Sequence, residues 1–82
     1  MRLSNLPRHA TAIVQGVDAH QDADPIARRL DALGFVPGET VRLISVGPFG
    51  GDPVLVQVGF TRFALRRSEA DRVRLEPAGD AS

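Results

Sequence analysis

Two histidines, ten carboxylates and ten arginines carry almost all the ionisable chemistry of this 82-residue chain, which has no cysteine, lysine or tyrosine. Only His20-x-Asp22-x-Asp24 brings imidazole and carboxylates close together in sequence, a ligand set that could hold a divalent transition-metal ion. Asp24, however, directly precedes Pro25. An Asp-Pro pair of this kind starts helices: the carboxylate caps first-turn N–H groups, and proline lacks only a donor that would be orphaned anyway. The cap reading takes precedence, and no metal ligand is assigned. His9, beside a strand start, reads as a surface residue. Gly47-x-x-Gly50-Gly51 has the glycines of a phosphate cradle but lacks the Gly-Lys-Ser/Thr that leads into a helix. It runs instead into Asp52-Pro53 and a strand, as a hairpin connection does. With no thiol or amine nucleophile and the remaining acids scattered, no catalytic residue and no cofactor is assigned.

The elements that would position these residues are short. Eighty-two residues make one domain with a modest core. The apolar fraction of 43% is that of an ordinary globular protein. Ten basic and ten acidic residues cancel, so the chain lacks the basic excess that nucleic-acid binding draws on. It contains neither a signal-peptide pattern nor the roughly 20 apolar residues that cross a bilayer. These features point to a soluble, cytoplasmic protein without membrane insertion.

Glycine and proline divide the chain into pieces. Ala10 to Val17 alternates as a first strand with Ala12 and Val14 inward. A helix of about three turns then starts at Asp24-Pro25, with Ile26, Leu30 and Leu33 on one face. Gly34 stands at its left-handed C-cap and Pro37 prevents resumption. Val41–Val46, the Val54-Val56-Val58 run and the Phe63-Leu65 pair read as strands. Ser68 to Asp71 reads as a single capped turn, and Val73 and Leu75 as a last strand. The fold class is therefore mainly β: an antiparallel barrel of about five strands with one short helix between strands 1 and 2. Closure would remove the exposed edges of so small a sheet. The domain spans 1–76, and 77–82 is a flexible tail. Because the helix comes early, an SH3-like barrel fits better than an OB-fold.

Arg28-Arg29-Leu30 followed by Leu33-Gly34-Phe35-Val36-Pro37-Gly38-Glu39-Thr40-Val41 resembles the helix-exit signature of the FeoA family, the ferrous iron transport protein A components. Three further segments agree: Leu3-x-x-Leu6-Pro7, Gly50-Gly51-Asp52-Pro53-Val54, and Phe63-Ala64-Leu65-Arg66 followed by Glu69-Ala70. The similarity runs from about Leu3 to Leu75. It implies an SH3-like barrel, a cytosolic location and a partner, the GTPase-bearing ferrous iron permease (ferrous iron transport protein B). It brings no catalytic residue.

The candidate partner interface is Arg28, Arg29, Phe49 and Arg66. Phe49, at the tip of a glycine-rich loop, either folds back over the barrel mouth or stands out as an anchor. Arg28, Arg29, Arg62, Arg66 and Arg67 are also the residues from which a trans-acting arginine for the partner's GTPase would come. Solvation of the outer faces is the simpler role, so docking without acceleration is expected. Two other readings stay open: a metal-responsive transcriptional regulator or iron-binding module of the same fold, and a homodimer formed by pairing of sheet edges.

Overall fold

The computed structural model describes residues 1–48 and 50–77. A 3-10 turn at Leu3–Asn5 leads into β1 (Thr11–Val17), α1 (Pro25–Ala32), β2 (Thr40–Val46), β3 (Val54–Val58), β4 (Thr61–Leu65), α2 (Arg67–Ala70) and β5 (Val73–Pro77). The five strands form one antiparallel sheet in the order β4-β3-β2-β1-β5. This is the mainly β architecture expected, with one short helix between the first two strands.

The core follows from period-2 alternation. Ala12 and Val14 on β1, Val41 and Leu43 on β2, Val54, Val56 and Val58 on β3, and Val73 and Leu75 on β5 all point to one face and are buried. Breaks in register between Val14 and Gly16 in the β1–β5 ladder, and between Leu43 and Ser45 in the β2–β3 ladder, interrupt the pairing. Such irregularities bend strands and increase twist, so the sheet can wrap its apolar face around Leu30, Phe35, Leu3 and Ala70.

Two expectations need correction. The sheet does not close: among the described residues no ladder joins β4 to β5. These edge strands are connected through α2, which packs on the N-terminal turn, and both elements bury a residue completely, Ala70 and Leu3. Side chains thus do there what a closing ladder would do. The helix is also shorter than expected, eight residues or a little over two turns. It buries Leu30 alone, while Ile26 is 37% exposed.

The helix exit has a direct physical cause. Gly34 takes φ +110°, a region that favours glycine. The N–H of Gly34 bonds to the Asp31 carbonyl at 3.0 Å and that of Phe35 to the Leu30 carbonyl at 3.1 Å. This Schellman pair satisfies the last carbonyls and drops Phe35 into the core, its ring centroid 6.1 Å from that of Phe63.

Candidate functional site

Asp24 holds the start of α1. One carboxylate oxygen accepts the N–H groups of Ile26 (2.9 Å) and Ala27 (3.4 Å). The other accepts the N–H of His20 at 2.9 Å and pairs with the Arg72 guanidinium. The His20 N–H, then Arg72 and the two helix N–H groups, hold the carboxyl far below its ordinary range against the opposing effect of burial. Both oxygens are therefore engaged in structure, which leaves His20-x-Asp22-x-Asp24 without its third ligand. No group of three or more His, Asp or Glu side chains placed to hold a metal occurs among the described residues.

Asp18 plays a similar part on β5. It takes Arg2 at 2.5 Å on one oxygen and Arg74 at 2.8 Å on the other. The Arg2 hydrogen bond leads the causes that lower its carboxyl. Arg74 lies over Gly16, where a Cβ would sit 2.7 Å from its Nη2.

The expected interface residues are only partly gathered. Arg29 leaves the exposed face of α1 and bonds through Nη1 to Glu69 Oε2 at 2.5 Å. The other Glu69 oxygen accepts the Arg66 backbone N–H at 2.9 Å. Glu69 thus joins α1 to the start of α2 and brings Arg29 and Arg66 to one side of the molecule. Arg28 lines a different feature, an open groove of about 440 Å³ between α1 and β1 that includes Gly16, Ala27, Asp31 and Phe35. Phe49 lies outside the described residues. The loop around it is a hairpin connection, with the Gly47 N–H bonded to the Pro53 carbonyl at 2.7 Å.

Sequence reasoning passed over Phe60. β3 and β4 pair Val58 with Thr61, leaving a two-residue turn, Gly59-Phe60, whose aromatic ring is fully exposed at 104%. The alternating runs on either side of Gly59 were the available signal for that turn. Across the outer face the ladders align Thr11 with Arg42, Arg42 with Gln57, and Gln57 with Arg62. Arg62 Nε donates to Gln57 Oε1 at 3.0 Å, and Gln57 Nε2 donates to the Gly59 carbonyl at 3.3 Å. Among the described residues, no helix is long and apolar enough to cross a membrane.

The FeoA domain pattern matches residues 1–77. Among solved structures, the chain is similar to the FeoA of Stenotrophomonas maltophilia, a zinc complex put forward as a prokaryotic SH3 domain protein and ferrous iron transport activating factor. Identity there is 59%, over 93% of this chain and 89% of that one, with a TM-score of 0.85. It is also similar to the iron(II) transport protein A of Clostridium thermocellum (32% identity, 96% of this chain and 46% of that chain, TM-score 0.83). The Chlorobium tepidum FeoA protein gives 32% identity, 96% and 71% coverage, and a TM-score of 0.81. No curated protein matches the chain.

Proposed function

Starting from a chain that belongs to the FeoA family, and so has a role in ferrous iron transport, we propose that it is a cytosolic accessory protein of the ferrous iron permease. It docks on the GTPase-bearing region of that permease, ferrous iron transport protein B, and regulates it by contact. The observation that carries this reading is the match over residues 1–77, joined to 59% identity with an FeoA put forward as a transport activating factor. The chemistry of the chain is consistent with it. The carboxylates of Asp18, Asp24 and Glu69 are engaged in ion pairs that link elements of the fold. We assign the protein no reaction of its own.

The docking residues we assign first are Arg28 in the groove beside α1, Arg29 and Arg66 on the side joined by Glu69, and Phe49. Arg29 contributes less than its exposure implies, because its guanidinium is shared with Glu69. The test is a calorimetric titration of the chain against the permease's cytosolic GTPase region, with and without a GTP analogue. Saturable binding, weakened by Arg28→Glu and Phe49→Ala with no change in Tm, is expected. Absence of binding by the unaltered chain at high micromolar concentration would remove the docking function. Binding that both variants retain would move the interface elsewhere.

A further inference from the structure

We infer that the β3–β4 hairpin tip is an anchor for a protein partner, with Phe60 entering an apolar socket and Arg42 and Arg62 pairing with carboxylates around that socket. This rests on the docking function proposed above and names a surface for it different from the α1–α2 face.

An exposed apolar side chain is ordinary by itself, but Phe60 has no role in the fold that would explain it. Gly59 has φ +61°, and Phe60 is not in the left-handed region. This is the pattern of a tight type II′ turn, in which glycine at the first central position does the conformational work and the second residue is free to vary. An aromatic there gains nothing from folding. The turn is nevertheless tight and its flanking strands are paired residue by residue from Val58–Thr61 to Val54–Leu65. The ring is therefore presented from a short, well-paired hairpin, which lowers the entropy lost on binding.

Next to the tip, the side chains are arranged for an anionic group. Arg62 uses Nε on Gln57, and Gln57 is itself held by the Gly59 carbonyl. The guanidinium is thereby oriented while its two terminal nitrogens make no ion pair among the described residues, leaving the fork that takes a carboxylate in bidentate fashion. Arg42 stands across the ladder from Gln57 and likewise has no carboxylate within ion-pair distance among the described residues. Elsewhere Arg2, Arg29, Arg72 and Arg74 are all neutralised within the molecule. Residues 53–68 contain no acid at all. Among the described residues, Glu39 is the one carboxylate lining a shallow hollow of about 330 Å³ that also includes Arg42, Gln57 and Gly59.

An aromatic anchor beside arginines is the composition of an interface hot spot. Two guanidinium groups without an ion pair among the described residues, Arg62 held by Gln57 and Arg42 beside it on the same face, favour an acidic protein rim. A membrane surface would need a larger cationic cluster, roughly four to eight basic residues for an anionic-lipid site.

The test compares the unaltered chain, Phe60→Ala and the double variant Arg42→Glu/Arg62→Glu in titrations against the permease's cytosolic GTPase region. Sedimentation with phosphatidylserine-containing vesicles runs in parallel. Each variant is expected to weaken binding about tenfold or more, with Tm unchanged for Phe60→Ala and a smaller salt dependence for the double variant. If both variants bind as the unaltered chain does, this inference falls and the docking function stands. If the unaltered chain does not bind, both fall. Vesicle binding that Phe60→Ala abolishes, with GTPase-region binding intact, would make the hairpin a membrane contact and overturn the inference.

Discussion

Leu30→Ala would isolate what docks α1. Leu30 is the one fully buried side chain of that helix, and it packs in a cluster with Phe35 and the inner faces of the sheet. Alanine is the best helix former, so the substitution leaves local helicity intact and removes packing alone. Loss of transfer free energy together with the cavity left behind costs about 2–5 kcal/mol. An 82-residue domain has a total stability on the order of 4–12 kcal/mol, so between about a sixth of it and all of it would go. In a domain of this size Tm falls roughly 4–8 °C per kcal/mol, giving a drop on the order of 8–40 °C. Urea unfolding followed by circular dichroism should show a lower midpoint with an unchanged m value, as expected when stability alone changes. Ile26→Ala is the internal control. It sits on the same helix but is 37% exposed, and should cost less than about 1 kcal/mol. Equal costs for the two substitutions, or a loss below about 1 kcal/mol at Leu30, would refute the described seating of the helix.

Gly47→Ala should destabilise by about 1–3 kcal/mol, because the new Cβ would lie 2.6 Å from the Asp52 carbonyl oxygen and 2.7 Å from that of Pro53, backbone atoms that cannot turn aside. Gly16→Ala meets only the tip of Arg74 and should cost less; thermal denaturation in which the order is reversed would contradict the loop geometry. Asp24 and Asp18 both have lowered carboxyl pKa values in the fold. Their contribution is complete above the ordinary carboxyl value near 3.8 and is lost as pH falls through that value towards the lower native ones. Tm measured against pH should therefore be level above about pH 5 and fall steeply below pH 4, and Asp24→Asn should flatten that fall. An unchanged Tm down to pH 2 would argue against the Asp24 network.

Local chemistry was readable along the chain because its causes lie within a few residues. Asp24-Pro25 at the helix start, Gly34 at its exit and the alternation of Val54, Val56 and Val58 each follow from backbone hydrogen bonding or side-chain period, and each is where it was expected. The family resemblance was readable for the same reason, since its signature is largely this capping and turn chemistry.

What the sequence could not decide depends on which distant groups meet. Ile26 and Leu30 lie one turn apart on the same face of a helical wheel, yet the packed fold buries only Leu30. Arg29 looked like a free surface cation until the fold brought Glu69 to it across 40 residues, and Asp24 gained Arg72 across 48. Arg62 is no different in sequence from the other arginines, but the strand register sets it beside Gln57 and leaves its terminal nitrogens without an ion pair among the described residues. Sequence by itself determined the elements, their order and the family, because these rest on short-range sterics and hydrogen bonds. Tertiary structure decided whether the sheet closed, which charges were consumed and which side chains remained outside, because a charge or an apolar face acquires its partner only when the chain has packed.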